Sequence, residues 1–158
     1  MLRLIPAPVH RASLRTAYWL RHMFRKSFRP RLRGVSIVAS NREGHALLVR
    51  HSYGSDAWSL PGGGCGRREE PEAAARREMR EELGVEIHEV ELLTMFEETI
   101  SGAPHSAYIY AAVVEHDPNP DRREILEARF FPPNALPDRI SPLAATRIAI
   151  WQQASGMR

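Results

Sequence analysis

The sequence predicts an α+β protein in which helices pack on a mixed β-sheet, with an additional amphipathic helix at the N-terminus. Runs of β-branched and apolar residues bounded by turn residues predict the strands. Helical segments interrupt these runs without the regular strand–helix alternation of an all-parallel sheet. The chain has 158 residues, of which 43% are hydrophobic, so it can bury the core of one domain.

The first half of the body predicts a hairpin, a short strand and a helix. Gly34–Ser40 and Ala46–Val49 are apolar runs joined by turn-forming residues, so they predict a β-hairpin. Trp58–Leu60 predicts a short strand that leads into a proline and three glycines. Pro71–Leu83 predicts a helix, because proline suits its first turn and Gly84 suits its end.

The second half predicts further strands and a final helix. The strand segments are Val85–Ile100, which forms one or two strands, Ala107–Val114, and the short run Ala128–Phe131. Ser141 can cap a helix that has Pro142 at its first position and ends near Gln153. The single cysteine, Cys65, excludes an intramolecular disulfide framework and a cysteine-rich zinc site.

Residues 1–33 predict a basic, helical extension, and residues 34–158 predict the main domain. The extension has nine basic residues and no acidic one, so the main domain has 13 basic and 19 acidic residues. The basic net charge of the chain is therefore no argument that the main domain binds nucleic acid. Apolar residues at helical spacing between Val9 and Phe28 predict an amphipathic helix that ends before Pro30.

Three roles for this helix remain open. It can pack on the main domain or on a second subunit as part of a homodimer, lie on an anionic membrane surface, or act as an organelle transit peptide. Arginines interrupt its apolar residues, which argues against a secretory signal. We expect a cytoplasmic protein, with organelle targeting or peripheral membrane attachment as the alternatives.

A glycine run followed by an acidic helix predicts a metal site. Glu78, Glu81 and Glu82 are spaced i, i+3, i+4, so their carboxylates share one helix face and repel one another. A hard divalent cation such as Mg²⁺ or Mn²⁺ would relieve this repulsion. The alternative is a solvated acidic face. Gly62–Gly64 favour the metal site, because glycines allow the backbone to approach a ligand closely.

Residues 63–85 resemble the Nudix box, G-x5-E-x7-R-E-U-x-E-E-x-G-U with U aliphatic, at every specified position. The matching residues are Gly63, Glu69, Arg77, Glu78, Met79, Glu81, Glu82, Gly84 and Val85. The sequence is thereby identified as a member of the Nudix hydrolase family, of the type of MutT. The resemblance implies an α/β/α sandwich around a mixed sheet over the main domain.

The resemblance also implies a reaction. Family members use Mg²⁺ or Mn²⁺ to hydrolyse the diphosphate of a nucleoside diphosphate linked to another group, releasing a nucleoside monophosphate and the phosphorylated group. The expected partner is a small nucleotide, and no specific nucleic acid is expected. Two alternatives are an RNA 5′-pyrophosphohydrolase whose basic extension grips phosphates, and a nucleotide-binding regulator without turnover. All box glutamates are present, which argues against the regulator.

The resemblance also implies a role for each residue in or next to the box. The resemblance assigns metal binding to Glu78, Glu81, Glu82 and the Gly62 carbonyl, catalysis to Glu78 and Glu82, and orientation of these carboxylates to Glu69 and Arg77. Outside the box, Arg50 and Glu98 are candidates for substrate binding. A solvated surface position is the alternative for each of them.

We expect the basic extension to be separable from the chemistry, because every box residue follows Gly34. A chain that begins near Arg31 should keep kcat within a few-fold of the full-length value. If the apolar helix face packs on the domain, its loss should lower the free energy of unfolding by about 1.5–3 kcal/mol for each well-buried side chain, and the Tm should fall with it. If it lies on lipid, stability should hold and co-sedimentation with anionic vesicles should stop. A shortened protein that folds but turns over no substrate would contradict this prediction.

Overall fold

A five-stranded sheet with one helix on each face makes up the part of the protein described by the computed structural model, residues 32–100, 102–120 and 122–156. In chain order its elements are β1 (Leu32–Ser40), β2 (Ala46–His51), α1 (Pro71–Leu83), β3 (Val90–Ile100), β4 (Ala103–Val113), β5 (Ile125–Phe131) and α2 (Pro142–Ala154). The predicted N-terminal helix lies outside the described residues. Neither of the two described helices has the length and hydropathy needed to cross a membrane.

The sheet has the strand order β3-β4-β1-β2-β5. β1 runs parallel to β4, whereas the other neighbouring strands are antiparallel, so the sheet is mixed as predicted. The parallel pair extends in register from Leu32 opposite His105 to Ser40 opposite Val113. Leu32 and Arg33, which the sequence analysis placed in the extension, are therefore the first residues of the central strand.

The two helices cover opposite faces of the sheet, which confirms the predicted sandwich. The α1 stripe of Ala75, Met79 and Leu83 is fully buried against one face. On the other face, α2 buries Ile148 and Trp151. Successive residues of a strand point to opposite faces, so each strand contributes side chains to both cores. These strand residues include Val35, Ile37, Leu47 and Val49 towards α1, and Val38, Ala46, Leu48 and Ile109 towards α2.

β1 and β2 form a hairpin only at their turn, which the sequence prediction did not anticipate. Their register is limited to Ser40 opposite Ala46, and the strands then diverge. Residues 58–65 occupy the gap between them. The bonds that hold this segment are Val35 N to Gly63 O (2.9 Å), Ile37 N to Pro61 O (3.0 Å), Cys65 N to Arg33 O (2.9 Å), and the two bonds between Val49 and Ser59 (2.9 Å each). The predicted short strand Trp58–Leu60 and the glycine run thus form a backbone bridge between β1 and β2.

The structure confirms both predicted helices and shortens one predicted strand. Gly84 ends α1 with a left-handed backbone (φ 64°), and Ser141 Oγ accepts from Ala144 N at 3.1 Å at the start of α2. Within Val85–Ile100, however, regular pairing starts only at Val90. The preceding residues follow α1 instead, because Arg76 donates to the carbonyls of Ile87 and His88.

The close approach of Gly62–Gly64, called the glycine segment from here on, to β1 leads to a prediction about stability. Gly62 has φ 141°, and a Cβ there would collide with Val35 O, whereas a Cβ at Gly64 would meet only Arg33 O at 4.0 Å. We expect Gly62→Ala to destabilise the fold by at least about 2 kcal/mol, through backbone strain and overpacking. Gly64→Ala should cost less than about 1 kcal/mol. Urea unfolding measures both, and equal losses would show that the close approach is not needed.

Candidate active site

The glycine segment and α1 meet where Gly63 lies under the Glu78 carboxylate. A Cβ on Gly63 would be 2.5 Å from Glu78 Oε1, so any larger residue would push the carboxylate away. The Glu78 side chain is only 13% exposed. The backbone bridge between β1 and β2 therefore determines how deeply this carboxylate can be buried.

Arg77 connects the acidic residues with the glycine segment. It binds Glu69 through two hydrogen bonds, Nε to Oε1 at 2.8 Å and Nη2 to Oε2 at 3.0 Å. The same guanidinium donates to Glu78 Oε1 at 2.8 Å, to Glu81 Oε2 at 3.2 Å and to the carbonyl of Gly64 at 3.0 Å. Arg77 and Glu69 thus contact the acidic residues of the helix, and the orienting role that the resemblance assigns to them remains a prediction.

These contacts shift the pKa of the carboxyl groups in opposite directions. Hydrogen bonds from Arg77, and then from the amide of Gly66, lower the pKa of Glu69 to about 2. Burial raises the pKa of Glu78 above its ordinary value, against the hydrogen bond and charge of Arg77. The charges of Glu81 and Glu124 raise it further. Glu69 thus stays ionised across the ordinary pH range, while the environment of Glu78 disfavours its negative charge.

The three predicted metal ligands do not share one environment. Glu82 is buried, at 6% exposure, and Glu78 is nearly so. Glu81 is 61% exposed and extends along the helix surface to Arg77. Glu82 and Glu78 lie one helical turn apart, so two anionic groups are withdrawn from water at the same end of α1. Burial of two such charges is costly unless a positive charge lies beside them.

In the described part of the chain, no three acidic, histidine or cysteine side chains are arranged to hold one ion. Arg77 draws Glu78 and Glu81 towards its guanidinium and supplies the positive charge there. The donor set nevertheless suits a hard cation. Glu78 and Glu82 offer buried carboxylate oxygens, and the carbonyls of Pro61 and Gly63 face β1. Because neighbouring carbonyls of an extended segment alternate in direction, the Gly62 carbonyl is expected to face away from β1. The metal roles of these residues remain predictions.

Glu124 is a further acidic residue at this end of the sheet, and the sequence analysis missed it. It precedes β5, and its carbonyl accepts from the amide of Ser52 at 2.8 Å, just after β2. Its charge raises the pKa of Glu78, so the two carboxylates are electrostatic neighbours. No spacing rule links a residue in a polar loop to a helix so distant in sequence. The fold brings them together.

The two predicted substrate residues lie on the α2 face of the sheet. Arg50 Nε is 3.2 Å from Glu127 Oε2, and its guanidinium lies 5.7 Å from the centre of the Trp58 ring. Glu98 Oε1 accepts from Arg147 Nη2 at 2.7 Å. Both residues thus have protein partners of opposite charge, and their role in substrate binding remains a prediction.

Comparison with known proteins decides the family. A family model of the NUDIX domain matches residues 30–150, which is most of the chain. The chain belongs to the Nudix family. Nudix hydrolases generally use divalent metal ions, and the oxygen donors around Glu78 agree with that general property.

Similarity to curated relatives covers only a part of the chain. An RNA pyrophosphohydrolase of Cellvibrio japonicus is 42% identical over 66 residues, which cover 42% of this chain and 37% of that protein. The human diphosphoinositol polyphosphate phosphohydrolase 3-alpha is 43% identical over 75 residues, or 48% of this chain and 45% of that protein. The chain therefore matches less than half the length of these relatives.

Solved Nudix structures share the fold. The MutT NUDIX hydrolase from Burkholderia pseudomallei superposes with a TM-score of 0.68 at 23% identity, over 76% of this chain and 97% of that one. The predicted sandwich around a mixed sheet thus agrees with both the strand order and this neighbour.

The lowered pKa of Glu69 leads to a prediction about acid stability. A carboxylate with a depressed pKa stabilises the fold above its unfolded pKa, near 4.5, and this contribution is lost as the pH falls towards 2. We expect the wild type to be more stable than Glu69→Gln at pH 5–7, and the difference to shrink as the pH falls and to vanish only below about pH 2, where Glu69 is protonated in both states. Urea unfolding of both proteins across this pH range tests it. A difference that stays constant with pH would show that the ion pair with Arg77 is not its source.

Proposed function

We propose that the protein is a metal-dependent pyrophosphohydrolase that cleaves the diphosphate of a nucleoside diphosphate derivative into a nucleoside monophosphate and a phosphorylated remainder. The observation that carries the proposal is the burial of Glu78 and Glu82 on one helix, with Glu78 lying against a glycine, Gly63, that leaves no space for a side chain. Two buried carboxylates one turn apart have little structural benefit. They suit a site that binds a cation.

Some residues of the site would bind the metal ion, and others would orient the residues that bind it. Glu78, Glu82 and the Gly62 carbonyl would hold Mg²⁺ or Mn²⁺, and Glu81 is close enough along the helix to join them. A bound divalent ion screens phosphate charge and lowers the pKa of a bound water. Arg77, held by Glu69, limits how far the Glu78 side chain can move. Proton removal from the attacking water falls to a carboxylate, with Glu78 as the candidate from the sequence and Glu124 as the one added by the fold.

A second candidate is removal of pyrophosphate from RNA 5′ ends. It is favoured by the similarity to the Cellvibrio RNA pyrophosphohydrolase, together with the nine basic residues of the extension. Basic residues that neutralise phosphates make binding strongly salt-dependent. Steep salt dependence of RNA binding that disappears when residues 1–31, which precede β1, are removed would support this candidate over the small nucleotide.

The first experiment is a substrate panel measured with Mg²⁺ and with Mn²⁺. It should contain nucleoside diphosphate derivatives, diphosphoinositol polyphosphates and 5′-triphosphorylated RNA, with release of phosphate, pyrophosphate or monophosphate as the signal. The proposal expects turnover of at least one nucleoside diphosphate derivative that stops when EDTA is added. If no nucleoside diphosphate derivative is hydrolysed with either ion, the proposal fails, and turnover of the RNA alone would favour the second candidate.

Glu82→Gln tests the role of the acidic helix on the best substrate of this panel. We expect kcat to fall by at least about 10², the scale of a lost positioned charge in a metal site. The metal-free Tm should hold or rise, because repulsion from Glu78 is relieved. Glu72→Gln is the matched control, since Glu72 lies on the same helix but is exposed and paired with Arg76 at 2.7 Å. Near wild-type turnover in Glu82→Gln would disprove the metal assignment.

A further inference from the structure

A buried polar network lies on the α2 face of the sheet, on the side opposite the acidic helix. Arg147 of α2 donates from Nη1 to Ser36 Oγ of β1 and from Nη2 to Glu98 Oε1 of β3, both at 2.7 Å. His105 Nδ1 of β4 lies 3.0 Å from the same Glu98 oxygen, at hydrogen-bond distance. Arg147 is 8% exposed, and the side chains of Glu98 and His105 are 15% and 14% exposed. One helix and three strands are thereby joined through polar and charged side chains.

This network abuts the glycine segment through the first half of β1. A Cβ on Gly34 would be 2.6 Å from His105 Nε2 and 3.1 Å from the carbonyl of Gly63. Gly34 is also paired with Gly64 across the bridge. A Cβ on Gly62 would be 3.0 Å from the Cα of Ser36, the residue whose hydroxyl Arg147 holds. Displacement of β1 here would therefore displace the backbone beneath Glu78.

The glycine segment is thus held from both faces of the sheet by arginines. Arg77 binds the carbonyl of Gly64 from the α1 side. Arg147 acts from the α2 side, through Ser36 and the Glu98–His105 pair. A buried ion pair adds little net stability compared with apolar side chains of similar volume. The network instead fixes the positions of Ser36 and Glu98, because both accept directional hydrogen bonds from the Arg147 guanidinium.

We propose that Arg147 is a positioning residue for the hydrolysis: with Glu98 and His105 it fixes residues 34–36 of β1, and through them the glycine segment beneath Glu78. The inference rests on the proposed function, because the position of that segment matters only if Glu78 and the Gly62 carbonyl take part in catalysis. It gives Glu98 a different role from the substrate contact predicted from the sequence.

Cys65 provides a test that does not depend on activity. It is the single cysteine of the chain, is partly buried, and follows the glycine run. In the folded protein, alkylation of Cys65 by iodoacetamide should be at least about fivefold faster in Arg147→Met than in the wild type, because the segment opens more often. Arg147→Lys should restore part of the protection, since lysine keeps the charge and loses the fork geometry.

Two controls separate positioning from general loss of stability. Ile148 lies on the same helix as Arg147 and is fully buried, but it is not part of the network. Ile148→Val shortens this side chain, so it should lower the Tm and leave the alkylation rate of Cys65 unchanged. Arg139→Met removes an exposed arginine that pairs with Asp56 at 2.8 Å, and should change neither. Ser36→Ala removes one of the two bonds of Arg147 and should expose Cys65 to a smaller extent, which keeps the test available if Arg147→Met does not fold.

Turnover completes the test. For a substrate found in the panel, Arg147→Met should lower kcat by at least about tenfold and change KM by less than about threefold, because the reacting groups move while substrate contacts remain. An alkylation rate and kcat equal to those of Ile148→Val would overturn the positioning role. If the wild type hydrolyses nothing while Arg147→Met exposes Cys65, the proposed function fails and the control of the segment by Arg147 stands.

Discussion

The insertion of residues 58–65 between β1 and β2 is the constraint on which the site depends. The inserted residues keep β1 and β2 from pairing along their length as a hairpin. The amides and carbonyls of both strands form hydrogen bonds with the inserted segment instead. The separation requires backbone contact that side chains would block, which explains the glycines where the segment touches Val35 and Glu78. Once the segment is in place, α1 follows it and brings its acidic face to the end of the sheet.

Charge balance is the second constraint. Arg77 gathers Glu69, Glu78 and Glu81 around one guanidinium and also anchors the carbonyl of Gly64. The burial of Glu78 and Glu82 is therefore partly compensated within the protein, and a cation would have to redistribute these contacts. On the other face of the sheet, Arg147 binds Ser36 of β1 and Glu98 of β3. In our proposal, hydrogen bonds from an arginine on each face of the sheet therefore limit the movement of the glycine segment.

The sequence was most informative where local rules apply. Pro71–Leu83 was predicted with its observed bounds, because helix periodicity, proline at the start and glycine at the end all act within a few residues. The final helix ends one residue from its predicted end for the same reason. The strands were found but their limits were not: β1 starts at Leu32 and β4 at Ala103, since pairing with a neighbouring strand extends each beyond its apolar run.

The sequence by itself determined the family and the acidic residues of the box, because their spacing is local and specific. Tertiary structure alone decided which carboxylates are buried. Glu78, Glu81 and Glu82 look equivalent on a helix, but tertiary packing buries Glu78, against Gly63, and Glu82, and leaves Glu81 exposed. It also brought Glu124 near Glu78 and joined Glu98 to Arg147. These pairings depend on strand order and on which sheet face each helix covers, and long-range packing sets both.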